Sequence, residues 1–232
     1  MPISTTAIAA MGFLCVGLLD KTKKIHMDKN INNNGYDYVD LGLPSGTLWA
    51  TCNVGASKPS DGGLYFEWGN TQGWTIDQVG FGEGKKRFRY DDYKWAVKES
   101  FLTFSKYTTI GASLELEDDA ANANMGGDWH MPSPTQAQEL LDNTTSKWTI
   151  LDRINGYLFT SMKDTSKSIF IPMAGFAWNG LVSYSGSTGH IWLSTLKACC
   201  IDEGQLLFFD LGGTGLGNDI RNFGKSVRGV IG

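Results

Sequence analysis

Histidine and cysteine are scarce, with three and four residues in a chain of 232. His26, His130 and His190 lie far apart, and no Cys-x-x-Cys pair occurs among Cys15, Cys52, Cys199 and Cys200. A structural zinc site needs such ligands at close spacing, so none is expected. Cys199 and Cys200 are neighbours, and a bridge between neighbours strains the peptide, so no disulfide framework is expected either. Charge is thin as well. Charged residues make up 19% of the chain, and 20 basic against 24 acidic groups leave a net charge of −4. No basic excess is present to displace phosphate counterions, which argues against a nucleic-acid partner. The longest apolar run, Ala7 to Leu19, has 13 residues, short of the roughly 20 that span a bilayer. No membrane span is expected.

Hydrophobic residues at 41% and aromatics at 12% suffice for a real core, which excludes global disorder. Glycine is in excess, with 29 residues against about 16 at the usual ~7%. The chain therefore reads as a loop-rich globular domain with a short appendage. Residues 1–35 are that appendage, and 36–232 the domain. The apolar run AIAAMGFLCVGLL (7–19) is followed by Lys21, Lys23 and Lys24, the reverse of a secretory signal. It is expected to attach the domain to a sister subunit or another protein. Ordinary core packing and an atypical export signal stay open, and NINNNG (30–35) reads as a hinge.

From Tyr36 the chain breaks into short β-like pieces: YDYVDLG, GTLWATCNV, GLYFEWG, SIFIPMAG, GHIWLST, GQLLFFDL and KSVRGVIG. Each carries apolar alternation or a short apolar centre between turn residues. Two stretches read as helix. One runs from Leu114 to about Asn124. The other opens at Ser133-Pro134-Thr135-Gln136, a capping box with Pro at the first helical position. The pattern predicts an α+β domain with long connections, and Trp49, Trp68, Trp129 and Trp192 supply much of its core.

GFGEGKK (80–86) lacks the spacing and the Ser/Thr of a phosphate loop. GGTGLGN (212–218) has no acidic ribose partner and no following helix. The acidic residues Glu115, Glu117, Asp118 and Asp119 offer oxygen ligands for a structural calcium, but such a run is more often a solvated helix face, with acids favoured near the helix N-terminus. His130, directly before a helix cap, reads as a packed residue. No nucleophile–base–orienter set can be assembled, so no catalytic residues are expected.

The strings YVDLGLPSGTLWATCNVGA (38–56), YFEWGN (65–70), LEDDAANANMGGDWHMPSPTQAQELL (116–141), NGYLFTS (155–161), SIFIPMAGF (168–176), GHIWLSTL (189–196) and GKSVRGV (224–230) resemble the Fibrobacter succinogenes major paralogous domain. That family is common in Bacteroidota surface proteins, and the motifs follow its order over roughly residues 36–231. GGDWHMPSPTQAQELL also resembles the Gly-Gly-x-x-x-(Leu/Met)-Pro-Thr-x-x-Glu signature of formylglycine-generating-enzyme-like proteins. Both resemblances imply a C-type-lectin-like fold, with short twisted antiparallel strands, two helices and long loops. The vicinal Cys199–Cys200 lacks the surroundings of the formylglycine-generating cysteine pair, so a cysteine-dependent oxidase is the disfavoured alternative.

A preserved framework with scrambled letters between resembles the variable proteins of diversity-generating retroelements. There, adenine-directed mutagenesis of Asn-type codons yields Gly, Cys, Thr, Leu, Phe, Ile, His or Asp. The resemblance implies a variable, ligand-binding region over 177–223. Its slots begin with Trp178, Asn179, Leu181, Tyr184, His190, Ile191 and Leu193. They continue through Ala198, Cys199, Cys200, Ile201 and Asp202, which are otherwise puzzling. In GQLLFFDL, Leu207 and Phe209 are expected to point inward, leaving Leu206, Phe208 and Asp210 outward by period two. An irregular loop with Gly213, Thr214, Leu216, Asn218 and Asp219 follows, then Asn222 and Phe223. Trp178, Tyr184, Ile191 and Phe208 are the expected apolar anchors. Asp202, Asp210 and Asp219 are expected to set specificity through charge.

The implied function is non-enzymatic binding of a host-surface protein or glycan, with a phage tail tip as the first expected location. Other virion or surface proteins would then be contacted through residues 1–30, with homo-oligomerisation allowed. The alternative is a Bacteroidota cell-surface lectin-like binder without diversification.

Overall fold

A computed structural model describes residues 30–232, with side chains from Asn34 onward. The attachment segment expected over 1–30 lies outside the described residues but for Asn30. The described chain is α+β, built mostly from antiparallel strands in small sheets. β1 (Asn30–Asn33), β2 (Tyr36–Asp40) and β3 (Leu48–Asn53) begin a four-stranded sheet of order β1-β2-β3-β12, which the C-terminal strand closes. Asn30–Gly35, expected as a hinge, is instead β1 and its turn. Asn34 and Gly35 both take positive φ (58° and 90°), as a two-residue hairpin turn of the Asn-Gly kind requires.

The segment from Val54 to Glu115 is long and largely irregular. GLYFEWG, expected as a strand, makes only isolated bridges, Tyr65 with Trp74 and Phe66 with Lys225. The first expected helix is shorter than its sequence suggested. Leu116–Asp118 is a single 3-10 turn, after which α1 (Ala120–Met125) starts. Asp119 divides the two, because one of its oxygens accepts from Asn122 N (2.9 Å) as the N-cap and the other from Met131 N (2.8 Å). α2 (Pro134–Asn143) opens on the expected capping box: Ser133 Oγ accepts from Gln136 N, and Gln136 Oε1 from Ser133 N (3.2 and 2.9 Å).

β4 (Thr144–Leu151), β5 (Ile154–Ser161) and β6 (Ser168–Pro172) form a second sheet. β7 (Phe176–Trp178) and β8 (Leu181–Ser183) make a separate hairpin. β9 (Thr188–Leu196), β10 (Glu203–Asp210) and β11 (Gly213–Ile220) form a third sheet with β10 central, and β12 (Arg228–Ile231) ends the chain. β11 corrects the expected loop at 213–219. It has no alternating apolar pattern, yet every residue of it pairs with β10 from Glu203↔Ile220 to Asp210↔Gly213. The core has two main bodies. One gathers Trp49, Phe159, Ile191, Leu207 and Phe209, the other Trp68, Trp129, Trp192 and Leu206. All four expected tryptophans are fully buried.

Three cations are also buried in the C-terminal part. The Arg228 guanidinium donates to Asn53 Oδ1 and to the carbonyls of Ala50 and Phe170. Arg221 donates to the Tyr93 hydroxyl and to the carbonyls of Tyr107, Ile201 and Lys106. Phe104, Trp68 and Tyr93 surround its guanidinium carbon with ring centroids at 4.3–5.2 Å. The third is Lys225. Among the described residues no helix is long and apolar enough to cross a membrane.

Candidate functional site: an aromatic face

The β7–β8 hairpin turns on Asn179-Gly180, both at positive φ (51° and 75°), with Trp178 opposite Leu181. Asn-Gly between alternating apolar residues is the strongest short hairpin signal a sequence carries. That geometry stands Phe176, Trp178 and Tyr184 along one aromatic row. Tyr184 stacks on Phe176 (centroids 5.7 Å, planes 21° apart), and Phe176 on Phe223 (5.7 Å, 2°). Phe223 continues to Trp178 (5.7 Å, 39°). The row extends sideways through His190, 5.5 Å edge-on from Phe176, to Phe208 at 5.6 Å. Trp178 and Tyr184 are 48% and 64% exposed, a large aromatic area to leave in water.

Beneath the row lies Lys225, fully buried. Its Nζ sits 4.6 Å from the Phe176 centroid and 5.6 Å from that of Phe223, and donates to Asp219 Oδ2 at 2.7 Å. Burial lowers the ammonium pKa, and the Asp219 carboxylate opposes the fall. His190 is also buried. Its Nδ1 faces the Gly175 carbonyl (3.4 Å), and burial, then the Lys225 charge, lower its pKa to about 4. The ring is therefore neutral at pH 7.

Beside Trp178 and Phe223 opens a groove of about 370 Å³, whose other walls are Arg89, Tyr90, Phe101, Leu102, Asn179, Ile220 and Asn222. Phe101 is 77% exposed. Arg89 Nε donates to Asn179 Oδ1 (2.6 Å), tying the hairpin turn to the 85–92 segment.

Several expected site residues are not on this face. Ile191 and Leu193 are fully buried and Leu206 is 2% exposed, so none can meet a ligand. Period two does turn Leu206 and Phe208 away from Leu207 and Phe209, but the second face of β10 packs on the Trp68–Trp192 core instead of facing water. Phe208, opposite Gly215, is partly open there, as is Asp210 at the strand end. Asn222 is 3% exposed, and its amide donates to the Phe88 carbonyl (3.3 Å). Asp219 is engaged by Lys225, while Asp202 and Asp210 are half-buried. Thr214 and Leu216 point to the opposite face of β11, that of Leu207 and Phe209, and Thr214 meets Ser146 (3.3 Å). Asn218 donates to Glu203. Gly213 sits at the start of β11, and Leu181 is exposed next to the hairpin turn.

Ala198, Cys199, Cys200, Ile201 and Asp202 occupy the β9–β10 connection. Ala198 and Cys199 are exposed, and Ile201 packs partly against the core. Burial, with Glu203 and Asp202 adding, pushes the Cys200 thiol up to about 11, which disfavours the reactive thiolate.

The acidic run is neutralised from within the protein. Lys106 Nζ contacts Glu115 (2.5 Å), Glu117 (3.0 Å) and Asp118 (2.6 Å), and Lys94 reaches the other Asp118 oxygen (2.6 Å). An ammonium stands among the carboxylates that were the calcium candidates, and Asp119 is turned away to cap α1. His130 faces the carbonyls of Met131 and Gly232 (3.0 and 3.1 Å), in keeping with a packed role.

Sequence reading missed Phe176, Lys225, Arg89, Phe101 and Leu102. Asn179-Gly180 could have flagged the hairpin and so Phe176. Nothing in the sequence ties 89–102 to 178–223, because only the tertiary fold joins them. No family model, curated protein or solved structure matches this chain.

Proposed function

We propose that the chain is a non-enzymatic ligand-binding protein that presents residues 176–223 as a recognition face on a C-type-lectin-like scaffold. The observation that carries this reading is the row Tyr184–Phe176–Phe223–Trp178, exposed at its two ends and half-buried between them. Rigid aromatic anchors carry most of the affinity at binding surfaces, and they lose little entropy when bound. Small antiparallel sheets, two short helices and a long irregular 54–115 segment support the scaffold assignment.

Buried framework residues (Trp192, Arg221, Lys225) share this stretch with exposed ones (Trp178, Tyr184) and the half-buried Phe223. Exposed positions such as Tyr184 change at small cost in stability, as a surface diversified by a retroelement needs. The slots shrink to those that reach solvent, so Ile191, Leu193, Leu206 and Asn222 leave the set. Trp178, which adenine-directed mutagenesis does not yield, is a fixed anchor. On this reading the face belongs to a phage tail-tip adhesin that attaches to a host-surface molecule, with residues 1–30 assigned to assembly.

The test is to sequence the locus across a population and seek a nearby reverse-transcriptase gene with a near-copy of the segment encoding 177–230. Mismatches confined to adenines of that copy, at codons such as those of Asp210 and Phe223, are expected. No copy, with these codons invariant among isolates, overturns diversification and leaves a fixed surface binder.

A further inference from the structure

The groove beside the aromatic row has a distinctive chemical make-up. Phe101, Leu102, Trp178 and Phe223 wall it with apolar surface, and Phe101 and Trp178 face water at 77% and 48% exposure. Its polar inventory is short. The Tyr90 hydroxyl is already engaged by the 97–103 backbone, accepting from Thr103 N (2.9 Å) and donating to the Ser100 carbonyl (2.8 Å). Asn179 and Asn222 also line it, the Asn222 amide donating to the Phe88 carbonyl. Among the described residues no carboxylate lines the groove, and its one cation is Arg89. Arg89 spends Nε on Asn179 Oδ1 and lies over the Phe81 ring (5.6 Å to its centroid), and among the described residues its two terminal Nη groups have no hydrogen-bond or ion-pair partner.

A free guanidinium fork at the edge of an apolar cleft selects for an anion, above all a planar carboxylate that it can bind through two parallel hydrogen bonds. A sugar would bring many hydroxyls into walls that offer few partners, and each one buried unpaired counts against binding. An aromatic side chain brings no such penalty and stacks on Trp178, Phe223 and Phe101. At about 370 Å³ the space is at the small end for ligand clefts.

We infer that this groove takes an aromatic side chain adjacent to a carboxylate, contributed by a peptide segment of a protein receptor, with Arg89 pairing the carboxylate. The inference rests on the ligand-binding reading and narrows its target from protein or glycan to protein.

The probe pair is N-acetyl-tryptophan and its neutral primary amide, titrated into the full chain while the Trp178 indole N–H is followed by NMR. The acid is expected to shift that resonance and to bind at least about tenfold more tightly than the amide, as a charge-assisted pair implies. Arg89→Gln should erase the difference. Phe101→Ala, at a side chain mostly in solvent, should weaken both probes and leave the fold intact. Equal affinity for acid and amide, indifference to Arg89→Gln, or displacement by neutral methyl glycosides would overturn the assignment. Host-cell binding by the full chain separates the two levels. Cells bound without any Trp178 shift sink the groove proposal alone, whereas the acid bound at Trp178 with no host surface recognised sinks the receptor reading alone.

Discussion

Phe176 and Phe223 stack with their planes 2° from parallel and their centroids 5.7 Å apart, although 47 positions separate them in the chain. One comes from the start of the β7–β8 hairpin and the other from the connection between β11 and β12. The pair joins the two halves of the exposed row, with Lys225 beneath both rings.

Phe223→Ala removes two ring pairs, those with Phe176 and Trp178, worth about 1–3 kcal/mol at 0.5–1.5 per pair beyond the apolar area the ring also ceases to bury, and should lower unfolding free energy by at least that. Tyr184→Ala removes one pair at a more exposed position and should cost about 1 kcal/mol or less. Urea titration of both variants checks the order. Equal losses would mean that Phe223 does not bridge the row.

Glu67 and His190 make opposite demands on pH. Burial pushes the Glu67 carboxyl up to about 7 from 4.5, against the pull of Lys86. The folded state therefore favours its protonated form, and this contribution to stability is lost as pH rises from 4.5 to 7. His190, lowered from 6.5 to about 4, stabilises above 6.5 and loses that contribution as pH falls toward 4. The windows overlap, so the two slopes offset one another in the parent protein. Glu67→Gln should leave stability rising with pH between 4 and 6.5, and His190→Gln should leave it falling between 4.5 and 7. Denaturant midpoints across that range decide the matter. Unchanged pH profiles in both variants would refute it.

Among the described residues Arg221 has no carboxylate partner. Three backbone carbonyls, the Tyr93 hydroxyl and three aromatic rings hold its charge. A lysine has three donors on a point charge and cannot span that planar arrangement. Arg221→Lys should therefore cost about 2–4 kcal/mol, from buried acceptors left unpaired. A loss below about 1 kcal/mol in urea titration would be incompatible with the cage.

Calcium and chelator should leave the melting temperature unchanged, because Lys106 already serves as counter-ion to Glu115, Glu117 and Asp118. Those carboxylates in turn raise the Lys106 pKa, Asp118 first, so the ammonium stays charged throughout the neutral range. Scanning calorimetry with added calcium and then with EDTA is sufficient. A calcium-dependent midpoint would show that a metal ion displaces the lysine.

Local chemistry was legible in the sequence wherever neighbours along the chain decide the structure. The Ser133–Gln136 box set the start of α2, and alternation located β9 and β10. The four tryptophans declared themselves core by sitting within short alternating segments, where large rings bury area economically, whereas Trp178 stays half in water. Tertiary structure decided the rest. β11 has no pattern of its own and becomes a strand because β10 offers it a complete hydrogen-bonding ladder. Period two could say that Leu206 and Phe208 face away from Leu207, but not that a second core waits on that side. The acidic run could hold a metal until the chain turns back and sets Lys106, nine to twelve residues upstream, against it. The groove unites Arg89 and Phe101 with Trp178 and Phe223 only through long-range packing. Side-chain patterns encode which face of an element is apolar, whereas what covers that face depends on contacts between segments that carry no mark of one another.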